Sequence, residues 1–382
     1  MNREGLFTLK SPTPIAVGSG LVALDIIING WESESPILSA GGSCGNVMTI
    51  LAYLGWKAHP IARIGSDLAA DVLIDDLSMF GVHIDFLQCE KSGHTPIVIE
   101  TIPVGTSISR THFFSFSCPH CGAPLPRHRP ILKSSVQHVV SQLPQPSIFY
   151  FDRISRAAIE IAKTYSAKGA VIIFEPSNVK SGKLFQECIQ VAHIVKYSHE
   201  SIGNIPGSLG TKYPLLQIET LGSYGLRFRL NLGIDHGSNW EYLETYRVDD
   251  LKDEAGSGDW CTAGVIHVLG QEGIKRLKEA SKEEVLEALS FGQALAALNC
   301  RFEGARGGMY SFNFAQMQSA IQAIMSGRKP YTTAQRKIPK VVESLLQSIC
   351  VNCNNSYKPV DLHYVMTSTG KKRKKEFEGH NT

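Results

Sequence analysis

A chain of 382 residues, 43% of them hydrophobic, can bury one large α/β core or two small ones. Its net charge of +3 is too small to call for nucleic acid, and no apolar run reaches membrane-spanning length. Nine cysteines over such a length do not make a secreted disulfide framework, and the start MNREGLFTLKSPTP has no signal-peptide apolar region; both point to the cytoplasm. Residues 15–28 form one apolar run, which predicts a buried first strand. Gly18, Gly20 and Ala23 fit a loose dinucleotide fingerprint, but no capped amphipathic helix and no ribose-binding acid follow. Asp25 is an acid among apolar neighbours, costly to bury unless donors such as a sugar's hydroxyls meet it; it also reads as an ordinary strand-end residue.

Asn29-Gly30 reads as a hairpin turn. Gly41-Gly42-Ser43-Cys44-Gly45-Asn46 then leads into a short apolar helix over residues 47–54, closed by Gly55. The double glycine lets an acceptor lie against the backbone, and Asn46 can both donate to and accept from a hydroxyl. Residues 61–67 predict a strand and a Gly-x-Asp turn, with a new helix from Leu68. Residues 95–101 and 107–116 alternate around Pro103-Val104-Gly105 and, with the hairpin, predict a small projecting sheet. Arg110 on that sheet is a candidate substrate contact, or simply an exposed strand arginine.

From residue 148 the pattern alternates strand and helix, with Glu175 and Asp259 at strand-to-loop ends. That predicts a parallel sheet covered on both faces, with ligands at the carboxyl ends of its strands. Residues 193–200 are another strand, carrying Lys196 and ending on Glu200. Residues 218–225 make a glycine turn with Thr220, Gly222 and Gly225. Asp253-Glu254-Ala255-Gly256-Ser257-Gly258-Asp259 then opens an apolar helix that runs to Gly270. Free first-turn N–H groups at such a glycine-rich mouth, with the helix dipole behind them, make an anion site. An acid beside it suits phosphoryl transfer to a hydroxyl. Asp259 would accept the proton while the N–H groups of Gly256, Ser257 and Gly258 hold the phosphoryl oxygens. Asp259 as a mere N-cap after a glycine-rich turn is the other reading of these residues.

The motif at 255–259 led by Asp253, and Gly41-Gly42 with Asn46 before a helix ending in Leu-Gly, resemble the two signatures of the ribokinase-like (PfkB) carbohydrate kinases. The resemblance runs over about residues 13–312. It implies an α/β fold: a doubly wound, mostly parallel sheet with helices on both faces, under a small β lid at about 26–40 and 94–117. It also implies a kinase using ATP and Mg²⁺ on a hydroxyl of a sugar or nucleoside, with room for a monovalent cation. Asp25, Gly41, Gly42 and Asn46 would hold the acceptor. Lys196, Glu200, Thr220, Gly222, Gly225 and Gln293 would lie on the nucleotide side. Where the family often has Asn-x-x-Glu, this chain has Ser198 and Ser201 with Glu200 one short, and Gln293 stands in place of an Asn. Those departures keep a second reading in view, a non-catalytic nucleotide or sugar sensor. The first lid segment is short, which leaves monomer and homodimer both open.

Two parts fall outside the pattern. Cys118-Pro119-His120-Cys121 opens an insertion at about 118–130, and Cys350-Val351-Asn352-Cys353 lies in a helical extension, 313–360. Two Cys-x-x-Cys knuckles supply four thiolates, enough for one closed structural Zn²⁺ site, although 228 residues separate the pairs. Two unrelated thiol pairs, or redox pairs, are the alternative. Residues 361–382, with Lys371-Lys372-Arg373-Lys374-Lys375, read as a solvated basic tail.

Overall fold

The computed structural model describes residues 3–29, 36–103, 112–178, 182–203, 214–231, 239–330 and 350–354. Arg110, Gly30 and the basic tail lie outside the described residues. The strands, in chain order, are β1 (Ile15–Ser19), β2 (Ala23–Asn29), β3 (Ile37–Gly41), β4 (Lys57–Gly65), β5 (Leu87–Glu90), β6 (Ile97–Ile102) and β7 (Phe113–Ser115). After them come β8 (Ile148–Phe151), β9 (Val171–Phe174), β10 (Ile194–Ser198), β11 (Leu216–Thr220), β12 (Leu226–Leu230) and β13 (Glu241–Leu243). The helices are α1 (Ser43–Tyr53), α2 (Leu68–Met79), α3 (Val136–Gln142), α4 (Arg156–Ala167), α5 (Gly182–Val191) and α6 (His199–Ile202). The second half adds α7 (Ser257–Leu269), α8 (Gly273–Lys278), α9 (Lys282–Asn299), α10 (Gly307–Ser311), α11 (Phe314–Met325) and α12 (Val351–Asn354).

Nine strands form one sheet in the order β13-β12-β11-β10-β9-β8-β1-β4-β5. From β11 to β5 every pairing is parallel, and β12 and β13 close one edge antiparallel. Successive residues point to opposite faces, so Ile148 and Tyr150 of β8 enter one core while Phe149 and Phe151 enter the other. The first core lies under α1, α7 and α9, and the second under α3, α4 and α5. Both faces are therefore covered, as a parallel sheet requires. Helices α7 and α9 cross backbone to backbone. A Cβ on Gly264 would stand 2.5 Å from the Gly292 Cα, and one on Gly292 would stand 2.5 Å from the Cys261 carbonyl oxygen. A capping box of Ser281 and Glu284 starts α9.

The single first strand expected over 15–28 is two strands in two sheets. A Cβ on Gly20 would fall 1.5 Å from Asp152 Oδ1, and the Leu21 N–H donates to that oxygen at 3.0 Å. The chain bends around this buried carboxyl at 20–22 and leaves the main sheet. Strand β2 then joins a four-stranded sheet in the order β3-β2-β6-β7. In its register Asp25 lies beside Val98 and Ile27 beside Glu100, so these four share one face. Leu24, Ile26, Ile97 and Ile99 make the opposite face and pack with Leu38, Ala69 and Leu125.

Candidate active site

The mouth of α7 is fixed before any side chain acts. Gly256 is its N-cap in the left-handed region, φ +71°, and a Cβ there would stand 2.3 Å from the Ala305 carbonyl oxygen. Glycine is required. Asp253 is wholly buried: Oδ1 accepts from the Ala255 N–H at 3.0 Å and Oδ2 from the Gly304 N–H at 2.8 Å. His112 Nδ1 lies 3.1 Å from Oδ1. Against the cost of burial, these partners hold Asp253 below the usual carboxylate range. Trp260 Nε1 and Asn299 Nδ2 both donate to the Ala305 carbonyl, at 3.0 and 3.1 Å. One expectation changes here. The Ser257 N–H turns inward to the Glu254 carbonyl at 3.1 Å, closing the tight turn. Among the described residues, the Gly256 and Gly258 N–H groups have no backbone partner.

Asp259 is half-buried in the first turn of α7, and its Oδ2 accepts from Asn46 Nδ2 at 2.8 Å. Burial, then the nearby Glu175, push Asp259 up to about 8, although Asn46 and Lys196 pull the other way. Glu175 stands one residue past β9. Its Oε1 meets Lys196 Nζ at 2.5 Å, and its Oε2 accepts from Thr262 Oγ1 at 2.6 Å and from the Tyr150 hydroxyl at 3.3 Å. Lys196 is buried, and burial disfavours its charge, but Glu175, with Cys261 and Asp259, outweighs that and raises it. A Cβ on Gly258 would stand 3.5 Å from Lys196 Nζ, so the ammonium lies at the mouth of α7. Asp152, one residue past β8, completes the group; burial raises it to about 6 while Arg153 Nη1, 2.6 Å away, opposes.

On the other side of Asn46 lies the lid. Asn46 Oδ1 accepts from Arg306 Nε at 3.1 Å, so both ends of its amide are taken by protein groups. Arg306 is buried. It donates through Nη2 to the Ala40 carbonyl and to Asp76 Oδ2, the latter at 2.5 Å, and the Tyr310 hydroxyl lies 3.2 Å away. Asp25 presses against the double glycine: a Cβ on Gly41 would fall 1.8 Å from Asp25 Oδ2. Gly42 has φ +77°, and a Cβ there would stand 2.6 Å from the Leu21 carbonyl oxygen. Burial pushes Asp25 up to about 7, with Arg306 and the Gly42 N–H opposing. Among the described residues, two buried polar atoms here have no hydrogen-bond partner, Asp25 Oδ1 and Arg306 Nη1.

The structure therefore brings Asp25, Gly41, Gly42, Asn46, Lys196, Gly256, Gly258 and Asp259 into one region. Thr220, Gly222 and Gly225 form the turn from β11 to β12. The Thr220 hydroxyl donates to the Tyr197 carbonyl at 3.4 Å, and Gly222 and Gly225 have φ of +61° and +100°. Gln293 is buried on α9 and donates to the Glu244 carbonyl at 3.0 Å, tying α9 to the chain after β13. Glu200 is exposed on α6, and the acid that touches Lys196 is Glu175. Sequence reasoning missed Asp152, Arg306 and Asp76. Asp152 carried a signal, since like Glu175 it directly follows an apolar parallel strand. Arg306 and Asp76 carried none.

A doubly wound sheet with a lid, and a carboxyl at a glycine-rich helix mouth beside a buried lysine, define a kinase, a phosphotransferase to an alcohol. The family model of the pfkB family carbohydrate kinases matches residues 32–310, and the chain belongs to that family. No curated protein matches the sequence. Solved structures do match in fold. The fructokinase of Xylella fastidiosa with bound ATP is 18% identical, covering 76% of this chain and 93% of its own, at a TM-score of 0.57. The aminoimidazole riboside kinase of Salmonella enterica is 18% identical over 81% and 99%, at 0.60. The Burkholderia thailandensis nucleoside kinase in complex with ADP-inosine is 14% identical over 85% and 100%, also at 0.60. Among the described residues no helix is long and apolar enough to cross a membrane.

Proposed function

We propose that this kinase transfers the γ-phosphoryl group of ATP to a hydroxyl, a primary alcohol, of an unphosphorylated sugar or nucleoside. The observation that carries this reading is the unbroken polar chain from Asp259 through Asn46 to Arg306, whose charge reaches Asp25. It joins the base to the lid. Asp25 Oδ1 and Arg306 Nη1, an acceptor and a donor buried without partners, suit neighbouring hydroxyls of one polyol. The Arg306 charge is already met by Asp76, so it is not a free clamp for a phosphorylated acceptor.

Asp259 takes the acceptor hydroxyl's proton as the new O–P bond forms, the bond to the β–γ bridging oxygen breaks, and ADP leaves. Its raised proton affinity suits that role, because a base works best near the operating pH. Asn46 keeps the carboxyl aimed, and the Gly256 and Gly258 N–H groups with Lys196 bind the phosphoryl oxygens. Three carboxyls, Asp152, Glu175 and Asp259, meet two cations, Lys196 and Arg153, and the remaining negative charge would fit Mg²⁺ beside Asp152 and Glu175. When bound, Mg²⁺ supplies charge neutralisation on the nucleotide's phosphates.

The test is ADP release over a panel of free sugars, nucleosides and sugar phosphates. Turnover on an unphosphorylated polyol is expected. A strong preference for phosphorylated sugars would contradict the acceptor class. Tight nucleotide binding with no turnover on any acceptor would make the protein a sensor.

A further inference from the structure

The two Cys-x-x-Cys pairs, with 228 residues between them, meet against the outer face of the lid sheet. Cys118 Sγ lies 3.9 Å from Cys353 Sγ and Cys121 Sγ lies 3.6 Å from Cys350 Sγ. All four sulfurs fall within 4.8 Å of one another. A tetrahedral zinc with Zn–S bonds of about 2.3 Å has S···S edges of about 3.8 Å. These two Sγ–Sγ distances bracket that edge. The first pair also has the backbone of a metal knuckle. The Cys118 N–H donates to the Ala123 carbonyl at 2.8 Å, and the Gly122 N–H to the Cys118 carbonyl at 2.9 Å, with Gly122 at φ +71°. The N–H groups of His120 and Cys121 point at the Cys118 sulfur, and that of Ala123 at the Cys121 sulfur.

The place matters as much as the geometry. Leu24, Ile26, Leu38, Ile97 and Ile99 are the apolar face of a sheet that, among the described residues, has no second layer of strands. Ala69 of α2, Leu125, Cys118, Cys350 and Cys353 cover them. The segment 350–354 lies 20 residues beyond the described end of the kinase core at 330 and packs here through its cysteines. Something must hold so short a helix of four residues in place.

We propose that Cys118, Cys121, Cys350 and Cys353 bind one Zn²⁺ as four thiolates, and that this clasp covers the lid's outer face and thereby sets the position of the strand carrying Asp25. The site has no open ligand position, so the metal is structural and takes no part in the chemistry. The metal half is independent of the kinase reading; the second half rests on Asp25 as an acceptor-binding residue.

The experiment uses the full chain, purified under reductant. Elemental analysis should show about one zinc per chain, and reconstitution with Co²⁺ should give the visible absorption of a tetrahedral thiolate site. Cys118→Ser and Cys350→Ser should each lose both signals, whereas Cys89→Ser, on β5, should keep them. Should the serine variants fail to fold, titrating the wild-type thiols with a mercurial should release the zinc as four thiols react. Acceptor KM should rise in the metal-free protein, roughly tenfold to a hundredfold, with nucleotide affinity unchanged. No metal as purified and no uptake of Zn²⁺ or Co²⁺ would overturn the site. Full Co²⁺ absorption in Cys350→Ser would show that the pairs do not share an ion. An unchanged acceptor KM after zinc loss would overturn the clasp's role. A zinc-loaded protein that phosphorylates nothing would instead fail the kinase reading and leave the metal site standing.

Discussion

The two faces of the lid sheet come from the same strands and answer to opposite pressures. Towards the cleft, Asp25 is buried with one carboxyl oxygen unpaired, and Glu100, on the same face, is raised well above its ordinary range by burial and by Asp253. Away from the cleft, Leu24, Ile26, Ile97 and Ile99 are buried under the cysteine cluster. An unpaired buried polar atom costs about 1–3 kcal/mol, whereas a buried aliphatic side chain contributes about 1.5–3 kcal/mol. On the proposed function, the inner face gives up stability for recognition, and the outer face supplies the stability that lets it do so.

Substitutions on the two faces should separate these roles. Ile99→Ala, on the outer face, should destabilise by about 2–5 kcal/mol in denaturant unfolding, with a smaller effect on turnover once the protein is folded. Asp25→Asn, on the inner face, should lower kcat/KM for the acceptor roughly tenfold to a hundredfold and leave the melting temperature equal or higher. Loss of stability without loss of activity in Asp25→Asn would reverse the comparison. Gly41→Ala puts a Cβ into the Asp25 carboxylate and should cost about 1–3 kcal/mol of stability, with a raised acceptor KM.

A further effect is a pH dependence. Asp152, Asp25 and Asp259 are raised to about 6, 7 and 8 in the folded state, from 3.8. Between about pH 4 and 8 the folded protein thus holds protons that the unfolded chain has released. Their contribution to stability is full below about pH 4 and is lost as pH rises through the folded-state values, by up to about 1.4 kcal/mol per pH unit for each group. Asp259→Asn has one such group fewer, so in thermal melts it should gain on the wild type as pH rises from 5 to 8. A variant that loses ground to the wild type over that window would contradict the assignment.

Much of this was legible in the chain. Gly41-Gly42, Asn46 and the turn 253–259 declare themselves because glycines at helix mouths have few other uses, and the structure brings them together. The cysteine pairs were legible by type and number, and they converge. Arg306 was not, because it meets Asn46 and Asp76 across 260 and 230 residues, and no local period marks such a meeting. Glu100 was not singled out, because residues 95–101 read only as an alternating strand, and in the structure both faces of that strand are buried. The break at Gly20 was hidden for a related reason: β1 and β2 are both apolar, and the bend is imposed by Asp152, 132 residues away.

The central claim is that Asp259 is the base at an anion site. ADP release by wild type and Asp259→Asn, measured side by side from pH 6 to 9 on the best acceptor, tests it most directly, with folding of the variant checked by circular dichroism. Wild-type turnover should rise as Asp259 loses its proton, towards about pH 8. The variant should be slower by a factor on the order of 10²–10⁴ and lack that rise. Full turnover by Asp259→Asn, or the same pH limb in both proteins, would contradict the account.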